Sequence, residues 1–145
     1  MNKAISIDPG ISKCGIIVAD IKQQKVFKAE VIESDSLLNY VKKLYKSDPN
    51  HHLLIGNGTS SKKYIRELRE LIPNLIIADE KDSTYRAKER YFDIFPIKGL
   101  KHFLPREIFI LNKNLDALAA LIIMEDYFEC KFEISSLINV KTWLK

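Results

Sequence analysis

The sequence has few of the residues that build disulfide frameworks and membrane spans. Its 145 residues include two cysteines, Cys14 and Cys130, which lie far apart and without metal-ligand spacing. Both are interpreted as reduced thiols, as expected of a cytoplasmic protein. No apolar run approaches the roughly 18 residues that a membrane-spanning helix needs. The opening Met-Asn-Lys leads into a strand pattern rather than a signal peptide, so we expect a cytoplasmic chain without a membrane partner.

Zinc and nucleotide sites are also unsupported by the sequence. The three histidines, His51, His52 and His102, have no metal spacing and are predicted to lie at the surface. Neither a P-loop nor a GxGxxG pattern is present. The composition is that of a globular protein, 46% hydrophobic and 29% charged, with a net charge of +4. We expect one domain over residues 1–145, and the positive charge is compatible with an anionic partner.

Apolar patterning predicts an α/β fold in which three strands precede alternating helices and strands. The predicted strands cover residues 3–8, 14–20, 25–32, 52–56 and 75–78. The predicted helices cover about 36–47, 59–71, 83–92 and 114–128. Residues 95–113 look irregular, and the tail to Lys145 is left unassigned. This order predicts a mixed sheet with helices on its faces.

The first strand and its turn are the most informative stretch. An apolar run rises to Asp8 and is followed by Pro9 and Gly10. Pro9 lacks a donor and is expected to end the strand, and Gly10 can adopt the positive φ of a type II turn. Gly15, inside the next strand pattern, indicates a bulge, or the close approach of another backbone or of a phosphate. For the isolated motif, a plain hairpin with Asp8 as a turn residue is an equally good interpretation.

Two further carboxylates occupy comparable positions. Glu80 follows the fifth predicted strand, and Asp116 lies in the first turn of the last helix. Each alone has a structural explanation, because acidic residues are favoured at helix starts. If Asp8, Glu80 and Asp116 meet at one edge of the sheet, they offer the oxygen ligands that Mg²⁺ prefers. Two such ions can activate a water and stabilise the leaving oxygen of a phosphodiester.

Four segments resemble, in order, the motifs of the YqgF and RuvC nucleases. They are Ile5-Ser6-Ile7-Asp8-Pro9-Gly10 with Gly15, Leu54-Ile55-Gly56-Asn57-Gly58, Asp79-Glu80-Lys81-Asp82-Ser83-Thr84, and Leu115-Asp116-Ala117-Leu118-Ala119-Ala120. The resemblance implies an RNase H-like fold with a five-stranded mixed sheet whose first three strands are antiparallel. It also implies an endonuclease, dependent on Mg²⁺ or Mn²⁺, that acts on structured nucleic acid. Such proteins are described as Holliday junction resolvases or as nucleases that mature pre-16S rRNA.

Carried over residue by residue, the resemblance implies that Asp8, Glu80 and Asp116 are catalytic and bind the metal. Asp8 would bridge the ions, and Pro9, Gly10 and Gly15 would be structural. The chain departs from the pattern at Ala119, where RuvC proteins have a second aspartate. It also has Ser12-Lys13 where many YqgF proteins have Lys-Arg, and its segment 95–113 is longer than in compact YqgF proteins.

Basic side chains near the active edge are candidate phosphate ligands. They are Lys13, Lys62, Lys63, Lys81, Arg86, Lys88 and Arg90. Lys62 and Lys63 stand at a predicted helix start, where free N–H groups favour phosphate. For any one of them the alternative is a solvated surface charge. For Tyr85, Tyr91 and Trp143, packing is the better interpretation and base stacking the alternative.

Two other functions compete with a nuclease. A non-catalytic nucleic-acid-binding module of the same fold would retain the motifs without hydrolysis. An ATP-binding domain of the actin-like superfamily opens with a similar hairpin, but it requires a second phosphate loop, for which 145 residues leave no room. The expected partner is branched DNA or structured RNA. A homodimer would suit a symmetric junction, although the sequence shows no pattern that predicts a dimer interface.

Overall fold

A mixed β-sheet forms the centre of the computed structural model, which describes residues 2–136 and residue 138. Within these residues the sheet has six strands in the order β5-β4-β1-β2-β3-β6. They are β1 (Lys3–Pro9), β2 (Lys13–Asp20), β3 (Lys25–Glu33), β4 (His52–Gly56), β5 (Ile76–Ala78) and β6 (Glu133–Ile134). The helices are α1 (Leu37–Ser47), α2 (Ser61–Leu71), α3 (Ser83–Ile94), α4 (Glu107–Ile110) and α5 (Asp116–Phe128). Two 3₁₀ helices, Ser34–Ser36 and Gly99–Phe103, complete the described elements.

The strand directions confirm the predicted α/β, RNase H-like fold. Strands β1, β2 and β3 form an antiparallel meander, whereas β4 and β5 run parallel to β1. The predicted count of five strands is wrong, because β6 pairs in parallel with β3 through Lys25 and Val26. A strand of two residues is too short to show an alternating pattern, so the sequence did not indicate it.

Each face of the sheet packs against its own helices. Ile5 and Ile7 face α1 and α2, where they pack with Leu37 and Leu68. The alternate positions, Ala4 among them, face α5. Helix α5 is almost fully buried, and its small residues, including the predicted Ala117, Ala119 and Ala120, allow close contact with the sheet. The α5 face is the one that carries Asp8.

The turn after β1 differs from its prediction. Strand β1 extends through Pro9, and among the described glycines only Gly99 has a positive φ, so Gly10 does not supply a type II turn. The turn is fastened by Ser34 instead, whose hydroxyl donates to the Gly10 carbonyl at 3.0 Å and whose N–H donates to the Ser12 carbonyl at 2.9 Å. The partner lies more than twenty residues away, so no local pattern reveals it.

Other local predictions were partly right. Helix α2 begins at Ser61, two residues after the predicted start, and residues 95–113 contain two short helices instead of irregular chain. His52 and His102 are exposed as predicted, but the His51 ring is buried beside Asp48. Both cysteines are free.

Helices α3 and α5 are joined by a buried ion pair. The Arg90 side chain, 12% exposed, donates to Glu125, 7% exposed, with 2.8 Å between Nη2 and Oε1. Arg90 also donates to the Phe132 carbonyl, and Glu125 accepts from the Phe132 N–H. The pair therefore attaches the chain after α5 to both helices.

We expect Arg90→Met to lower the free energy of unfolding by about 3–5 kcal/mol, because it leaves the Glu125 carboxylate buried without its cation. Urea denaturation measures this value. Lys88→Met, on the exposed side of the same helix, is the matched control and should change stability by less than about 0.5 kcal/mol. Adding Glu125→Leu to Arg90→Met should recover part of the loss, and no recovery would contradict the assignment.

Candidate active site

Strand direction and side-chain alternation bring three acidic residues to one edge of the sheet. Strands β1, β4 and β5 are parallel, so their carboxyl ends lie at the same edge. Asp8 is near the end of β1, Glu80 lies two residues beyond β5, and Asp116 is the first residue of α5. The charges of Glu80 and Asp116 both act on the Asp8 carboxyl, which also lies within hydrogen-bonding reach of Glu80. The three predicted site residues are therefore neighbours.

Glycines make room for two of these acids. Asp8 pairs with Gly15 of β2, and a Cβ on Gly15 would lie 1.9 Å from the Asp116 carbonyl oxygen. The predicted close approach of another backbone at Gly15 is thus confirmed. A Cβ on Gly56 would lie 2.2 Å from Glu80 Oε2, and one on Gly58 would lie 1.4 Å from Oε1. A side chain at Gly56 or Gly58 would clash with the Glu80 carboxylate in its present position.

Two asparagines hold the acidic residues, and sequence reasoning missed both. The Asn57 side-chain oxygen accepts from the Glu80 N–H at 3.4 Å. The Asn114 side-chain oxygen accepts from the Asp116 N–H at 2.9 Å. The spacing of Asn114 and Asp116 is that of an Asx turn, a signal that the sequence offered. The contact of Asn57 with Glu80 spans 23 residues and has no local signature.

Burial raises the pKa of all three acidic groups, and nearby negative charges add to the effect at Asp8 and Glu80. Burial, then the charges of Glu80 and Asp116, raise the pKa of Asp8 to about 7. Burial also raises the pKa of Glu80, with the Asp79 charge adding to the effect and the Asp8 hydrogen bond opposing it. The pKa of Asp116 is raised by burial, against the hydrogen bond from Asn114 and the positive charge of Lys13. Burial is thus the largest cause of the raised pKa at all three carboxyls.

One carboxylate oxygen of the site is left without a partner. Glu80 Oε2 is buried and accepts no hydrogen bond from the residues that the structure describes. A hydrogen bond between the Asp8 and Glu80 carboxyls forms only while one of the two is protonated and donates, because ionised carboxylates are acceptors alone. An unsatisfied acceptor beside two more carboxyls fits a hard divalent cation, whose preferred ligands are oxygens.

The carboxylates do not by themselves form a finished metal cage. Among residues 2–136 and 138, no group of three or more His, Cys, Asp or Glu side chains is already arranged around one point as metal ligands.

Lys88 is exposed on α3, and the other six predicted phosphate ligands divide into two groups. Lys13 lies close enough to Asp116 for its charge to act on that carboxyl. Lys81 lines an open cleft of about 500 Å³ next to Glu80. Lys62 and Lys63 are exposed in the first turn of α2, directly after the loop that carries Gly58. These four lysines lie on elements that border the acidic edge.

The arginines are engaged with other parts of the protein. Arg90 donates to Glu125 and to the Phe132 carbonyl, and its contact with phosphate stays a prediction. Arg86 lines the cleft but donates through both terminal nitrogens to Asp126, at 2.5 and 2.7 Å. Both ion pairs join residues at least 35 positions apart, so the sequence gave no sign of them.

The aromatic candidates also separate. Tyr85 is exposed, whereas Tyr91 packs against Phe92 and Phe95. Trp143 lies outside the described residues. The packing interpretation is therefore confirmed for Tyr91.

Comparison with known proteins gives one similar curated sequence. No known family profile matches the chain. A protein of Phocaeicola vulgatus with the description "Putative pre-16S rRNA nuclease" is 26% identical over 145 residues, which cover 90% of this chain and 98% of that protein. A solved structure of T. thermophilus RuvC in complex with a Holliday junction substrate aligns with a TM-score of 0.49 and 14% identity, over 88% of this chain and 94% of that one. The strand order and strand directions identify the fold independently of this alignment. No helix in the described ranges is long and apolar enough to cross a membrane.

Proposed function

We propose that this protein is a metal-dependent endonuclease of the YqgF/RuvC type, which hydrolyses phosphodiester bonds in structured nucleic acid. The observation that carries the proposal is the meeting of Asp8, Glu80 and Asp116 at one edge, with Glu80 Oε2 buried and unpaired. Residues 1–145 would act as one nuclease domain. The description of the curated relative makes pre-16S rRNA the first substrate to test, and branched DNA the second.

Asp8, Glu80 and Asp116 would hold Mg²⁺ or Mn²⁺. The bound ion would supply Lewis-acid activation of a water and stabilisation of the leaving oxygen. Gly56 and Gly58 keep the Glu80 carboxylate at the edge, and Asn114 fixes the start of α5, so that the acids are positioned before substrate arrives.

Lysines on the surrounding elements would place the substrate phosphates. Lys13 stands beside Asp116, and Lys81 follows Glu80 directly in the chain. Lys62 and Lys63 extend the positive charge along the start of α2. Such contacts set the register of the nucleic acid without reading its sequence.

Cleavage assays with a metal titration test the proposal. Protein freed of metal with EDTA is incubated with a pre-16S rRNA fragment, a four-way DNA junction and a linear duplex, while Mn²⁺ or Mg²⁺ is added in steps. We expect cleavage only with metal, and preferentially of a structured substrate. Metal-independent cleavage would contradict the proposal, and binding without any cleavage would favour the non-catalytic module.

We expect Lys13→Gln to weaken substrate binding several-fold and to reduce the slope of log K against log salt by about 0.7–0.9, the share of one phosphate contact. Fluorescence anisotropy in EDTA at several salt concentrations measures both quantities. Lys22→Gln, in the turn after the opposite end of β2, is the matched control and should leave the slope unchanged. Equal slopes for the two variants would show that Lys13 does not contact a substrate phosphate.

A further inference from the structure

Residues 98–113, here called the connecting segment, expose an unusual amount of apolar surface. This segment leads from the end of α3 towards Asp116. Five of the eleven large hydrophobic residues that are exposed in the described part of the chain lie in it: Leu100, Phe103, Leu104, Ile108 and Leu111. Leu100, Phe103 and Leu111 are 84%, 87% and 75% exposed. Scattered exposed apolar residues are normal, but a concentration of this kind indicates a binding surface.

The exposed side chains belong to a segment that is anchored on its other side. Phe109 lines a groove together with Tyr91 and Phe92 of α3. The Arg106 guanidinium lies over the Phe92 ring, 5.3 Å from its centroid. The segment is thus packed against the protein and presents an apolar surface outward.

The charge of the segment favours a nucleic acid as the occupant. Its cationic residues are Lys98, Lys101, Arg106 and Lys113, and its one acidic residue is Glu107. These sixteen residues therefore carry +3 of the net +4 of the whole chain. A second copy of the same surface would place like charges together, whereas phosphates would neutralise them.

The segment also ends at the acidic edge. Lys113 precedes Asp116 by three residues, so their Cα atoms are no more than about 11 Å apart. The next residue, Asn114, is not one of the proposed metal ligands. Its side-chain oxygen accepts a hydrogen bond from the Asp116 N–H at the start of α5. The C-terminal end of the segment therefore lies near the three carboxylates.

We propose that the connecting segment binds unpaired nucleotides next to the cleaved bond, with Leu100 and Phe103 against base faces and Lys98 and Lys101 near phosphates. The inference rests on the proposed function and adds a substrate class to it. Bases in a continuous duplex are stacked on each other and offer no free face, while bases in bulges, loops and junction arms do. Apolar and aromatic side chains beside cations are the usual means of binding such bases.

Binding assays in EDTA test this inference separately from catalysis. The probes are a fluorescein-labelled RNA duplex and the same duplex with four unpaired nucleotides at its centre. We expect the wild-type chain to bind the bulged probe about tenfold more tightly than the duplex, and Leu100→Ala with Phe103→Ala to remove this preference. Leu71→Ala, which truncates an exposed leucine on α2, should keep it.

Charge variants distinguish contacts to phosphates from contacts to base faces. Lys98→Gln with Lys101→Gln should weaken both probes alike and lower the salt slope by about 1.4–1.8. Lys22→Gln with Lys46→Gln, at the opposite end of the sheet, should leave the slope unchanged. All these side chains are exposed, so circular dichroism should show native folding.

Three results would overturn the inference. They are equal wild-type affinity for the two probes, a preference that survives the Leu100 and Phe103 substitutions, and a sedimenting dimer that these substitutions dissociate without changing the preference. If the wild-type chain prefers the bulge but cleaves no substrate with Mn²⁺, the nuclease proposal fails and the binding inference stands.

Discussion

Asp8→Asn should abolish cleavage and at the same time stabilise the metal-free protein. We expect cleavage to fall at least 10³-fold, because the substitution removes the carboxylate that interacts with both Glu80 and Asp116 and would contact the metal. A single-turnover assay with Mn²⁺ measures this loss. Asp126→Asn, which changes an exposed aspartate paired with Arg86, is the matched control and should retain cleavage.

The gain in stability follows from the pKa of Asp8. Its value rises from 3.8 in the unfolded chain to about 7 in the fold, so the folded protein retains a proton that the unfolded chain releases. The contribution of Asp8 to stability is therefore fully present below about pH 4 and is lost as the pH rises to about 7, by as much as roughly 4 kcal/mol. Asparagine carries no charge at any of these pH values, and Asp8→Asn should remove this decline.

Urea denaturation in EDTA from pH 4 to pH 8.5 checks the expectation. The metal-free wild type should lose stability over this range, and Asp8→Asn should be the more stable protein above pH 7. If wild type and Asp8→Asn show the same pH dependence, the Asp8 carboxyl does not experience the burial and repulsion described here.

The second large effect concerns Gly15. Gly15→Ala would place a Cβ 1.9 Å from the carbonyl oxygen and 2.1 Å from the carbonyl carbon of Asp116. Both atoms are backbone at the start of the buried helix α5, so the helix must move to relieve the clash. We expect a loss of at least about 3 kcal/mol in the free energy of unfolding, measured in urea, at the upper end for overpacked cores.

Gly58→Ala is the informative comparison for Gly15→Ala. Its added Cβ would meet the Glu80 carboxylate, the mobile end of a side chain, at 1.4 Å from Oε1. We expect the carboxylate to turn away at a cost below about 1 kcal/mol in stability, while cleavage falls at least tenfold. If Gly15→Ala is tolerated as well as Gly58→Ala, the close packing of β2 against α5 is not as described.

The sequence predicted most of the helices and strands, because strand alternation and helix periodicity are patterns within single segments. Pro9, Gly10 and Gly15 indicated a constrained turn at Asp8, and Gly15 does lie against the backbone of Asp116. The sequence did not predict the role of Ser34 in fastening that turn, since the contact joins distant segments. Strand β6 was missed because two residues cannot show a period.

For the candidate site, the acidic residues were predicted and their supports were not. Asp8, Glu80 and Asp116 follow strand ends or start a helix, which are positions that a sequence reveals. Asn57 supports Glu80 across a loop, and Arg90 was assigned to substrate although it pairs with Glu125. Pairings of this kind depend on how helices and strands pack, and no single segment contains that information.

Binding of Mn²⁺ is the most direct test of the central claim that Asp8, Glu80 and Asp116 form one metal site. Isothermal titration calorimetry at pH 8 would compare wild type, Asp8→Asn, Glu80→Gln and Asp116→Asn, with Asp126→Asn as the control. We predict that wild type and Asp126→Asn bind Mn²⁺ with the same affinity, and that each site variant binds at least tenfold more weakly. Equal affinity in all five proteins, or no binding to any of them, would contradict the account.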